Sequence, residues 1–199
     1  MPIVEKSSYN PFLLFRNGHV STIYSGRIKT SKIPDYQREK LELPDGDFLI
    51  IDSLLKPVSK KALILCHGLE GDSRRTYNNT CAQYFFEKGF SVFAWNNRSC
   101  GGEMNRLPKF YHHGTVADLD AVVQNVLNRG YKEVYLVGFS LGAAQILNYF
   151  GRFEIDKRVR AGVAVSAPIL LKSSAEKLKK GFNRVYLNIF VRKLKVKFT

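Results

Sequence analysis

Long apolar runs are missing from this 199-residue chain, and with them any stretch of the roughly 18 apolar residues needed to cross a bilayer. The amino terminus lacks the charged-then-apolar pattern of a secretory signal. Cysteine is scarce: Cys66, Cys81 and Cys100 are an odd number without metal-like spacing. That excludes a disulfide framework and suits a reducing compartment, so a cytoplasmic location is expected. Neither G-x-x-x-x-G-K nor G-x-G-x-x-G occurs, which removes the two common glycine-rich phosphate cradles. Histidine is scarcer still in the second half, where none follows His113. No metal and no cofactor are expected.

Acidic residues are also few, 17 against 31 Lys and Arg, giving a net charge of +14. The excess is uneven: Lys172 to Thr199 holds nine Lys or Arg and one Glu. Nucleic acid is the first partner such a tail suggests, but no groove-reading motif or aromatic platform accompanies it. Phe182, Tyr186 and Phe190 fall every four residues beside Leu178, Val185 and Ile189, a packing face on a basic amphipathic helix. A solvated basic face or peripheral contact with lipid fits better than nucleic acid.

With 45% hydrophobic residues the chain can bury one core. Residues 1–35, punctuated by Pro2, Pro11, Gly18 and Pro34, read as an irregular arm. A hairpin-type turn at Leu43–Asp47 leads into a strand at Phe48–Asp52. Ala62–Cys66 and Phe90–Trp95 read as strands buried on both faces. Arg74–Lys88 reads as a helix closed by Gly89. A second helix, capped by Thr115 and closed by Gly130, carries Val116, Leu119, Val122, Val123 and Val126 on one face. A further strand begins at Glu133, a helix runs to Phe150, and Ala161–Ala167 reads as a buried strand. Strands alternating with helices predict an α/β fold, a mostly parallel sheet with helices on both faces. The core is expected over 36–170, followed by one long amphipathic cap or lid helix over 171–199.

The chemistry concentrates at Gly138-Phe139-Ser140-Leu141-Gly142, between the β-branched run Glu133–Val137 and the helical run Leu141–Phe150. A serine on so tight a strand-to-helix turn is strained and exposed, and flanking glycines remove the Cβ atoms that would clash. Ser140 is the candidate nucleophile. An acyl-transfer site also needs backbone N–H groups aimed at a developing oxyanion. The Leu141 amide, at the positive end of the following helix, is one candidate. The turn His67-Gly68-Leu69-Glu70-Gly71, directly after a buried strand, supplies the other through Leu69. His67 reads as a histidine that shapes this turn rather than as a base. His112, His113 and Asp118 lack the spacing of a metal site and read as support for the loop after Trp95.

Together with Asn17-Gly18-His19-Val20-Ser21-Thr22-Ile23, Pro44-Asp45-Gly46 and Asn97-Arg98-Ser99-Cys100-Gly101-Gly102, these motifs resemble the α/β-hydrolase superfamily. Within it they are similar to AB hydrolase family four, a branch of esterases and lipases. The resemblance implies a serine hydrolase of carboxylic esters, of lipid or short- to medium-chain acyl type. It implies an eight-stranded sheet with a helical insertion after the sixth strand, and a triad in the order Ser, acid, His. After Ser140 come Glu154, Asp156 and Glu176 but no histidine. The expectation is therefore an amino-terminal fragment, truncated after about the sixth strand and lacking acid and base. An inactive remnant that binds a lipid or protein partner is the alternative. An open sixth strand would make such a chain prone to association.

Overall fold

The computed structural model describes residues 4–25 and 29–197; parts of the arm and tail called above, at 1–3, 26–28 and 198–199, lie outside them. Six strands form one sheet: β1 (Gln37–Glu42), β2 (Phe48–Leu54), β3 (Lys61–Cys66), β4 (Ser91–Asn96), β5 (Glu133–Phe139) and β6 (Val159–Val165). Their spatial order is β1-β2-β4-β3-β5-β6. The first two strands form an antiparallel hairpin, and β2 runs antiparallel to β4. The remaining neighbours, β4 with β3, β3 with β5 and β5 with β6, are parallel. The expected mostly parallel α/β architecture is present.

Side-chain alternation along the central strands explains the layers. Ala62, Ile64 and Cys66 of β3, with Phe93 and Trp95 of β4, face one core. Helices α3 (Val116–Asn128) and α4 (Leu141–Arg152) cover that face through Leu119, Val122, Val123, Ile146 and Tyr149. The intervening Leu63, Leu65, Val92 and Ala94 face the other side, where α2 (Thr76–Glu87) packs Ala82, Phe85 and Phe86 against them. Both faces are buried, so these strands read as continuous apolar runs.

Four features differ from the sequence reading. β1 was not anticipated: its residues, Gln-Arg-Glu-Lys-Leu-Glu, are almost all polar because it is an outer strand with little burial. β6 is a strand, but a largely exposed one, with Val163 53% and Val165 38% accessible. Among the described residues nothing pairs with its outer edge. Thr115 stands at the start of α3 without capping it; its hydroxyl accepts the His112 N–H at 2.9 Å instead. The basic tail is two helices, α5 (Leu171–Leu178) and α6 (Arg184–Val196), separated by a tight turn at Gly181, whose φ of +53° suits glycine.

The arm contains a short helix α1 (Gly18–Ile23), capped by the Asn17 side chain. His19 at its start meets α6, with Nδ1 3.1 Å from Tyr186 Oη and its ring edge-on to Phe182. No described helix is long and apolar enough to cross a membrane.

Candidate active site

Ser140 sits between β5 and α4 at φ 52°, ψ −113°, a conformation that non-glycine residues adopt only under strain. It is exposed at the carboxyl edge of the sheet. The need for glycine on either side is steric. A Cβ on Gly138 would stand 2.5 Å from the Gly142 carbonyl oxygen, and one on Gly142 would strike the Cys66 carbonyl. The Ser140 N–H donates to Val165 O at the end of β6 (2.9 Å), and its carbonyl accepts Ala144 N–H at 3.1 Å. The backbone is thus anchored on both sides while the side chain makes no capping bond.

The turn His67–Gly71 emerges beside it because β3 and β5 are adjacent and parallel, with Cys66 opposite Gly138. A Cβ on Gly68 would lie 3.3 Å from both Phe139 O and Ser140 Cβ, so the two turns touch. Leu69 is half-buried, and its N–H has no acceptor among the described residues. The Leu141 N–H, at the first position of α4, is one of the donors a helix leaves unpaired. Two amides without a backbone acceptor among the described residues thus stand at the ends of adjacent strands.

Several groups hold this turn in shape. Gly71 N–H donates to Gly68 O at 2.9 Å, and Gly68 N–H donates to Tyr77 Oη at 3.1 Å. Glu70, at φ 53°, donates its N–H to Tyr111 Oη (2.9 Å), and the same hydroxyl donates to Glu70 Oε1 (2.6 Å). His67 is wholly buried. Its Nδ1 donates to Gly68 O at 2.7 Å, while Nε2 accepts the Asn97 N–H at 3.0 Å. Burial pushes this imidazole down to about 4, so it is neutral and both nitrogens are engaged.

The other polar residues named from sequence lie elsewhere. His112 Nδ1 accepts Gly114 N–H (3.1 Å), and the His113 carbonyl accepts Asn148 Nδ2 (3.3 Å). Asp118 is locked to buried Arg98 by two bonds of 2.8 Å. No described group of three His, Cys, Asp or Glu is placed to hold a metal ion. Asp156 precedes β6, whereas the far end of that strand holds Ser140. Seven residues of strand separate the two by about 20 Å. Asp156 is paired instead with Arg158, whose hydrogen bonds hold its carboxyl down to about 2. Tyr77 and Tyr111 were not anticipated as supports of the turn; they lie 9 and 41 residues from their partners Gly68 and Glu70, with no local pattern to announce them.

Beside the turn lies a groove of about 730 Å³, bounded by Leu69 and Tyr77 on one side and the apolar face of α6 on the other. Ser140 is not in its lining. Helix α6 is fastened here, with Lys197 Nζ 3.0 Å from Glu70 Oε1 and Lys193 Nζ 3.3 Å from Glu70 O.

Residues 61–198 match the family model for the alpha/beta hydrolase fold. The chain is 31% identical over 195 residues to the Escherichia coli (strain K12) protein named "Putative esterase YheT", covering 95% of this chain and 57% of that protein. It is 25% identical over 200 residues to human phospholipase ABHD3, covering 96% of this chain and 48% of that one. The chain thus spans about half the length of the curated relatives it matches. Among solved structures, the Pyrococcus furiosus esterase Pf2001 superposes with a TM-score of 0.64 at 22% identity, over 79% of this chain and 61% of that one. A strained serine between two glycines that leave no room for a Cβ, a shaped turn beside it and the match over 61–198 converge: the chain belongs to the α/β hydrolase family.

Proposed function

We propose that this chain carries the nucleophile half of a serine hydrolase site acting on carboxylic esters, of lipid or of short- to medium-chain acyl groups. The Ser140 hydroxyl oxygen attacks the ester carbonyl carbon and its proton leaves to a base. The carbonyl oxygen, now negative, takes hydrogen bonds from the Leu69 and Leu141 amides. Collapse expels the alcohol with a proton and leaves an acyl-serine, which water then hydrolyses. His67, Gly68 and Gly71 keep the turn in the shape that aims Leu69, and Gly138 and Gly142 permit the bend at Ser140. None of the described histidines is hydrogen-bonded to Ser140, and His67 has no free nitrogen. The proton acceptor in this proposal is a residue outside these 199.

The observation that supports the reading best is the exposed Ser140 at positive φ with Gly68 packed against it. The relatives named as esterase and phospholipase favour ester and lipid substrates. The test is labelling with a fluorophosphonate and location of the adduct by mass spectrometry. A single adduct at Ser140, absent from Ser140→Ala and accelerated by added imidazole standing in for the base, is expected. Labelling spread over other residues, or unchanged in Ser140→Ala, would sink the reading. A second reading, a non-catalytic chain that binds lipid or a partner, draws on the apolar groove under α6; in that case the folded protein takes up no adduct.

A further inference from the structure

Arg75 and Lys193 reach for one oxygen. Arg75 Nη2 lies 2.9 Å and Lys193 Nζ 3.3 Å from the carbonyl oxygen of Glu70. Two cations that share an acceptor stand close enough to repel. Partial burial first, then Arg75, pulls the Lys193 ammonium below its ordinary value. Of the carboxylates nearby, Glu70 is ion-paired with Lys197, Asp72 is in no ion pair among the described residues, and both act on Lys193 in the opposite, weaker sense. Glu70 Oε1 takes Tyr111 and Lys197, and Asp72 Oδ1 takes the Arg74 N–H. Neither Arg75 nor Lys193 forms an ion pair with a carboxylate among the described residues, although eleven other pairs do.

These two cations line the groove, Arg75 from the start of α2 and Lys193 from α6, whose wall also carries Val185, Ile189 and Phe190, with Phe182 beside them. Phe182 and Val185 are 53% and 46% exposed, an apolar cost that a hydrocarbon chain would relieve. At about 730 Å³ the groove is within the size range of small-molecule sites. We propose that it binds a single-chain lipid carrying a phosphate monoester head, with the chain along α6 and the phosphate on Arg75 and Lys193. Two adjacent positive charges match the roughly −1.5 to −2 of a phosphate monoester at pH 7 better than the single charge of a carboxylate or a phosphodiester. The planar guanidinium adds paired donors suited to phosphate oxygens. This assignment does not depend on Ser140 being reactive.

Calorimetric titration of the 199-residue chain with dodecyl phosphate below its critical micelle concentration tests it. One site is expected, weakened about tenfold by Lys193→Gln and again by Arg75→Gln, as the loss of one charge-assisted hydrogen bond each. Ser140→Ala should bind as the unaltered chain does, so a failure of the hydrolase reading is separable from a failure here. Because Lys193 also ties α6 to Glu70, Lys193→Arg serves as the control: it keeps the charge and should retain binding, while an unchanged circular dichroism spectrum shows that Lys193→Gln is folded. Inorganic phosphate alone should bind far more weakly, and dodecyl maltoside should not displace the ligand. The proposal fails if dodecyl phosphate does not bind or if Lys193→Gln leaves its affinity unchanged. It fails equally if inorganic phosphate matches its affinity, which would mark a free-anion site, or if maltoside competes equally, which would mark a merely apolar groove.

Discussion

A single added methyl group tests the bend at Ser140. Gly138→Ala would force a carbon to 2.5 Å from the Gly142 carbonyl oxygen, with no flexible side chain to yield. We expect a loss of about 1–3 kcal/mol in stability, as for other overpacked sites, together with loss of fluorophosphonate labelling at Ser140. Unchanged melting and labelling would show that the turn is not what holds the serine. His67 gives a prediction with a definite sign. Its folded value is lowered to about 4 from an ordinary 6.5, so the folded state prefers the neutral ring. That contribution is complete above pH 6.5 and is lost as pH falls from there toward 4, by about 3 kcal/mol over the interval. Urea unfolding at pH 7, 6 and 5 should reveal this slope, and His67→Gln should flatten it. At this scale the sequence was informative wherever chemistry is local. Glycine spacing and flanking hydrophobicity pointed to the bend at Ser140, but Tyr111 and Glu70 are joined only by folding, across 41 residues.

Among the elements, those buried on both faces were legible and those at the margin were not. β3 and β4 read clearly because burial demands apolar residues at every position. β1 is paired through its backbone to β2 from Gln37 to Glu42, and its charged side chains carry no trace of that. The tail misled in the opposite direction. Its apolar period continues across the break at Gly181, so periodicity alone joined two helices into one. The loop after β4 depends on a buried constellation. Arg98, 2% exposed, donates to Asp47 at 2.7 Å, to Asp118 twice at 2.8 Å and to Asp45 at 2.9 Å. The sequence named Arg98 and Asp118 in separate motifs without joining them. Arg98→Met would leave Asp47 and Asp118 charged and unpaired in the interior, at about 3–5 kcal/mol. Chemical denaturation should register that loss, whereas a change below about 1 kcal/mol, the level of an exposed pair, would mean the cluster is solvated.

For the whole molecule, the controlling fact is that among the described residues β6 has one neighbour and an open side. Val163 and Val165 are exposed along it, and Ile169 and Leu170 continue the apolar surface at 80% and 70% accessibility. Unpaired strand edges of this kind recruit other strands. The 199-residue chain should associate in a concentration-dependent way, and Val163→Lys should suppress it. Sedimentation velocity across a hundredfold dilution decides the matter: a monomer at every concentration would refute the expectation. The net charge of +14 works against close approach, so added salt should strengthen association. The same strand ends on the carbonyl of Val165, which grips the amide of Ser140. If Ser140 is the nucleophile proposed above, a neighbour that docks along that margin is expected to shift this tether, and the speed of serine modification should then change with how much company the polypeptide keeps.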